Sequence, residues 1–307
     1  MGILICSLVF LIAGTVSILG SIAAMLAPLP LLYYYSKLGR GPGMLVFGLS
    51  LLIVLVVMKF VHFQATLVNL CLLGSLGPIL SEILRRNFSI EKTIAYSVMA
   101  LLGLGIAVLL IYSVAEGTGP LAFIEAYLAR VVEENVNIYA QLGGPSDQVE
   151  VIRNNVPRIA RYILTLFPAI TLVGTSFFVL INVLAGRTLF LRRGLWYPVF
   201  GDLTRWKMPD RYVWLVIVSA ASVMLPLGDF RLCALNILII LMFFYFLQGL
   251  AIVSFFFRKK RVPSFVRIIG YFLIFVQQYL LLLVVGVGLI DVWADFRKLE
   301  KSHQHAE

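Results

Sequence analysis

Eight stretches of the chain, 1–36, 41–58, 60–81, 93–115, 162–186, 212–228, 232–257 and 268–290, contain no Asp, Glu, Lys or Arg, and together they hold 190 of its 307 residues. A hydrocarbon core about 30 Å thick takes roughly 20 apolar residues as a helix. Lipid offers backbone N–H and C=O groups no water, so runs of this kind must be helical to satisfy them. The sequence therefore specifies an all-α, polytopic integral membrane bundle of eight or nine membrane-embedded helices. With 61% hydrophobic residues, 13% charged and a mean hydropathy of +0.98, a water-soluble fold is excluded. A net charge of +10 fits basic residues gathered on one membrane face, not nucleic-acid binding. No linker divides the chain, so 1–298 reads as one transmembrane domain and 299–307 as a polar tail.

Basic residues orient such a bundle, because Lys and Arg concentrate in cytoplasmic loops. The connections 37–40, 82–92, 187–211 and 258–267 carry 16 of the 25 basic residues, and the alternate connections with the tail carry nine. This parity assigns the first set to the cytoplasm and places 116–161 and the C-terminus outside, in a bacterial inner membrane. The first window resists a simple reading. As one helix its 36 residues would extend about 54 Å, too long for an ordinary span. The alternative is a hairpin turned at Gly20, and Pro28 and Pro30 interrupt either version.

The segment 116–161 is the one sizeable excursion. Leu121, Ile124, Leu128, Val131, Val132, Val136 and Tyr139 recur at helical spacing, and Gly143-Gly144-Pro145 stops that helix. Asp147 with Glu150 has the form of a capping box opening a second helix, striped by Val149, Ile152, Val156 and Ile159. The expectation is a pair of amphipathic helices at about 119–160, outside the hydrocarbon. On the opposite face, loop 187–211 mixes Arg187, Arg192 and Arg193 with Trp196, Tyr197 and Trp206. Basic plus aromatic reads as an interfacial belt that meets anionic lipid headgroups, or as a docking surface for a cytoplasmic protein partner.

Motifs for chemistry are missing. There is no HExxH, no Walker sequence and no metal-type spacing of Cys6, Cys71 and Cys233, so no catalytic residue, metal or cofactor is assigned. What remains is a sparse set of polar side chains in apolar runs: His62, Gln64, Asn69, Asn182, Asn236, Gln248, and the pair Gln277-Gln278 in the middle of the last window. Amides at depth are costly towards lipid and should face protein. Interhelical hydrogen bonding is one use for them. The other is lining a pocket for a small solute, with Gln277, Gln278, Gln248, Asn69 and Asn182 as the candidates.

Short motifs carry a resemblance. Phe167-Pro168 opens a span, Asn182 lies near its end, and the basic run Arg187–Arg193 follows. Then come Trp206-Lys207-Met208-Pro209 with Trp214, and the terminal Gly288-Leu-Ile-Asp291-Val-Trp293-Ala-Asp295-Phe-Arg297-Lys298. Pro28-Leu-Pro30 and Gly39-Arg40-Gly41 complete the set. In these the chain resembles the YybS-like family of bacterial membrane proteins, which is itself distantly similar to the substrate-binding S-components of energy-coupling-factor vitamin transporters. The resemblance implies a helical bundle that binds a small solute and relies on a separate transmembrane and ATPase module. It supplies no catalytic residues, and two or three extra helices and the 116–161 excursion depart from it. The leading expectation is thus a solute-binding or transporting protein without its own ATPase. The rival is a membrane scaffold or assembly factor acting through loop 187–211.

Overall fold

The computed structural model describes residues 1–14, 18–60, 67–226 and 228–298, and the regular structure in them is entirely helical. His62, Gln64 and the tail with His303 and His305 lie outside the described residues. Among the described residues, five helices are long and apolar enough to cross a membrane: α4 (Arg40–Met58), α5 (Leu67–Leu84), α6 (Ile90–Ala115), α9 (Val156–Arg192) and α11 (Asp229–Lys259). A bent pair, α12 (Ser264–Val276) and α13 (Gln278–Ala294), makes a sixth if it is one span.

The expected eight or nine embedded helices are not matched by as many full-length spans among the described residues, and the reason is local. Window 1–36 is neither one helix nor a hairpin at Gly20. It forms three short pieces, α1 (Gly2–Ala13), α2 (Ile18–Leu26) and α3 (Pro28–Leu38), and Gly20 sits inside the second. The longest, at 12 residues, reaches only about 18 Å. Pro28 lacks an N–H and suits a first helical position, so it starts a new helix here. Window 212–228 yields the 13-residue α10 (Tyr212–Met224), ended as Leu225 turns extended before Pro226. Window 268–290 bends by 100° at Gln277.

Two compact units result. The first comprises Met1–Ala126 with Gly174–Phe200. In it α1 packs on α4, where the Ser7 hydroxyl donates to the Ser50 carbonyl (3.4 Å) and the Ser50 hydroxyl to the Val46 carbonyl (2.6 Å). Phe10, Leu31, Val54 and Leu70 are fully buried in its core. The second unit comprises Tyr127–Val173 with Gly201 to the chain end, and its core gathers Met208, Val216, Leu241, Tyr245, Ile274 and Val284.

The excursion is helical as expected, in α7 (Pro120–Gln141) and α8 (Ser146–Asn154). Ile124, Leu128 and Val136 are the buried positions of the first stripe, while Leu121 and Tyr139 are exposed. The capping box does not form: Pro145 is the N-cap and Asp147 already lies inside the helix. Val156 and Ile159 belong to the first turns of α9, not to α8.

In the second unit α11 and α13 meet backbone to backbone. A Cβ on Gly249 would overlap the Val284 carbonyl oxygen, and one on Gly288 would overlap the Tyr245 carbonyl oxygen. Small residues give membrane helices this closeness and its dispersion contacts. Gly249→Ala and Gly288→Ala must push backbone apart, and each is expected to destabilise the purified protein by about 1–3 kcal/mol. Thermal unfolding in detergent checks this, and Gly286→Ala, with open space at its Cβ, is the matched control.

Candidate functional site

The candidate site is a buried polar network at the end of α13. The Arg297 guanidinium donates from Nη2 to Oδ2 of Asp291 at 2.8 Å, and both side chains are 0% exposed. The two residues are six apart, a spacing that no helix face brings together. Asp295 makes the contact possible: it adopts left-handed backbone (φ 37°, ψ 57°), ends α13 and folds Arg297 back over the helix. The Phe296 amide donates to Asp291 Oδ1 (3.0 Å), which fixes the turn.

What the pair faces is bare backbone. After a 3₁₀ turn at Leu203–Arg205 the chain runs extended to Met208, with Thr204 and Met208 buried. Arg297 Nη1 donates to the carbonyls of Thr204 and Trp206, both at 2.9 Å. Gln248, fully buried in α11, accepts from the Met208 amide (3.0 Å) and donates to Asp291 Oδ2 (3.1 Å). Buried backbone groups outside helices need protein partners, and Arg297 with Gln248 supplies them here. Asp202 ties the start of the segment to the end of α11, accepting from Arg258 Nη1 at 3.0 and 3.1 Å. Partial burial opposes its charge, but the Thr204 hydroxyl and amide and the Arg258 guanidinium outweigh this and hold the Asp202 carboxyl below its ordinary range. That stabilisation is present above the unfolded carboxyl pKa and is lost as pH falls through the lower folded value.

Arg258 at the end of α11 and Arg297 beyond α13 are both held by the segment 202–206. Counting loops by parity took window 268–290 as one full crossing. Instead α12 runs back along α11, with Tyr271 bonded to Ser254 (2.7 Å) and Phe275 against Phe246 (ring centroids 5.7 Å apart), and the chain then turns at Gln277.

Of the five candidate amides, Asn69 and Asn182 fall in the first unit and Gln248, Gln277 and Gln278 in the second. Gln277 and Gln278 stand at the break and are exposed, contrary to the expectation that both are buried against protein. Asn69 is also exposed. Asn182 is buried in the first unit, donating to the carbonyls of Met25 (3.0 Å) and Phe178 (2.9 Å). Asn236, outside that set, shows the clearest task. Pro168 interrupts α9, and the Ala169 amide donates to Asn236 Oδ1 (3.0 Å) while Asn236 Nδ2 donates to the Thr165 carbonyl (2.8 Å). The side-chain amide thereby replaces one rung of the helix ladder.

The proposed docking loop is divided as well. Helix α9 extends to Arg192, so Arg187 and Arg192 are helical, and with Arg193 they belong to the first unit. Trp206 belongs to the second, half-buried, with its carbonyl taken by Arg297. Sequence reasoning missed Asp291 and Arg297 as a site. Their only signal was a carboxylate closing a long uncharged run, with a cation shortly beyond it.

A family model described as predicted membrane protein (DUF2232) matches residues 4–292. The chain belongs to this family of predicted membrane proteins. No curated protein and no solved structure matches it.

A buried ion pair is costly to form but far costlier to break one-sidedly, by about 3–5 kcal/mol. Arg297→Met is therefore expected to destabilise more than Gly288→Ala, since it strips the Asp291 charge and two carbonyls of their donor together. Asp291→Asn keeps one acceptor oxygen, so it can serve Phe296 or the Gln248–Arg297 side but not both, and it leaves the buried Arg297 charge unpaired; it should destabilise on the same scale. Chemical denaturation of the three variants in detergent ranks them, and an Arg297→Met protein as stable as wild type would contradict the role given to this network.

Proposed function

We propose that the protein binds a small polar solute in the inner membrane, as the substrate-binding component of a transporter does, at the break between α12 and α13. The observation that carries this reading is the 100° bend at Gln277, inside a stretch without a single charge. Contacts along α12 set its depth: Phe275 lies against Phe246, near the middle of the uncharged run 232–257. Two exposed carboxamides, the last carbonyls of α12 and the first amides of α13 meet there. Such groups cannot face hydrocarbon without a cost of several kcal/mol, so a polar occupant must cover them. Discontinuous helices of this kind form the mid-depth sites of secondary transporters.

The Arg258–Asp202 and Arg297–Thr204 contacts support a re-entrant reading of α12 and α13, with the residues before Ser264 and after Asp295 on the face of the basic run Arg258–Arg261. By its positive charge we assign that face to the cytoplasm. Loop 187–211 suits a protein-docking scaffold less well, because Trp206 is tied into the fold through its backbone. The remaining amides, Asn182 and Gln248, hold backbone in place and are assigned no solute.

Native mass spectrometry of the full chain, released from detergent, tests the reading. Wild type is expected to carry a small-molecule adduct that Gln277→Leu/Gln278→Leu loses while keeping its thermal midpoint. Equal adducts on both proteins, or none on wild type, would remove the apex as a binding site.

A further inference from the structure

A second polar feature lies in the first unit, independent of the break at Gln277. A cleft of about 200 Å³ opens between the ends of α3, α5 and α9, lined by Ser36, Ser81, Arg85, Phe190, Trp196 and Tyr197 among others. Drug-sized ligands occupy roughly 300–1,000 Å³, so this volume suits a compact group. The three segments that form it, 36–40, 81–86 and 187–198, hold seven basic residues and one carboxylate, Glu82.

That carboxylate is already engaged. Arg40 grips it with two bonds, at 2.9 Å from Nε and 2.6 Å from Nη2, and Tyr35 donates a third at 3.1 Å. The Arg85 guanidinium consequently stands 3.9 Å from Glu82, beyond hydrogen-bond distance, and its side chain is 41% exposed at the cleft. Beside it the Ser36 and Ser81 hydroxyls are 2.7 Å apart. One donates to the other, and the acceptor's own O–H still points elsewhere. Trp196, 60% exposed, and Phe190 give the cleft aromatic walls of the kind found at membrane interfaces. The Tyr197 hydroxyl donates to the Val183 carbonyl (2.7 Å) and serves as a fixed wall. Burial raises the pKa of that phenol, and the charge of Arg187 opposes the rise, which places a further cation in the neighbourhood of the wall.

We infer that this cleft binds a phosphate group, with Arg85 supplying the charge and the Ser36–Ser81 pair a hydroxyl donor. Guanidinium and phosphate pair with matched geometry, and a hydroxyl alongside completes the shell. The group can reach the cleft on a lipid headgroup or as a soluble phosphate, and both present the same oxygens.

Native mass spectrometry of the full-length, delipidated protein with added phosphatidylglycerol or diacylglycerol, which lacks the phosphate, tests the inference. Wild type is expected to retain phosphatidylglycerol in preference. Arg85→Gln should weaken that retention about tenfold, the scale of one charged hydrogen bond, with Arg85→Lys in between. Ser81→Ala provides a second variant that leaves the Glu82 cluster intact and should also weaken it. Displacement of the bound species by millimolar inorganic phosphate identifies a soluble anion as the occupant, and persistence of phosphatidylglycerol identifies the lipid. Equal retention of the two lipids by wild type, or unchanged retention in both Arg85→Gln and Ser81→Ala, overturns it.

Discussion

Backbone hydrogen bonding governs this protein more strictly than hydrophobic burial does. Apolar surface is plentiful, and lipid covers it as well as protein does. A carbonyl or amide outside a helix has no such alternative, since nothing in hydrocarbon can bond to it. The segment 203–208, a 3₁₀ turn followed by irregular backbone, buries such groups inside the second unit. Arg297 and Gln248 bond to them, and Asp291 balances the charge that Arg297 brings inside.

The same logic explains the buried amides elsewhere. Asn182 serves the Met25 carbonyl in the last turn of α2, just before Pro28 starts α3. Asn236 bridges the ladder of α9 at Pro168. Gln248 takes the amide of Met208, one residue before Pro209. A proline lies near each of them, but only at Pro168, inside α9, does the carboxamide stand in for a helix rung, accepting from Ala169 and donating to Thr165. Gln277 and Gln278 break this pattern. They sit at an interruption without proline, exposed and not folded back onto backbone, and for that reason they carry the functional proposal while the buried amides do not.

Much of the architecture was legible from composition. Uncharged length identified a helical membrane protein and located the five long spans, because that property depends on residue type alone. It did not separate long helices from short ones where length and continuity part company. Pro28 and Pro226 could be read as breaks, whereas the bend at Gln277 has no breaker residue and arises from how α12 and α13 pack on α11. The amides were recognised as costly at depth, but a partner such as the Thr165 carbonyl, 71 positions from Asn236, is invisible to spacing. The Asp291–Arg297 pair was hidden for a related reason. Its contact depends on one left-handed residue, Asp295, and no periodicity announces a backbone reversal.

The central proposal is that α12 and α13 enter and leave on one side, and it is supported by the bonds of Arg297 to the Thr204 and Trp206 carbonyls. Single cysteines at Lys260 and Lys298, both exposed, test it in a background where Cys6, Cys71 and Cys233 are replaced. Each variant is treated in intact spheroplasts and in inverted vesicles with a membrane-impermeant thiol reagent. The account predicts that the two positions label in the same preparation and are protected in the same preparation. Labelling of Lys260→Cys and Lys298→Cys from opposite sides would contradict it.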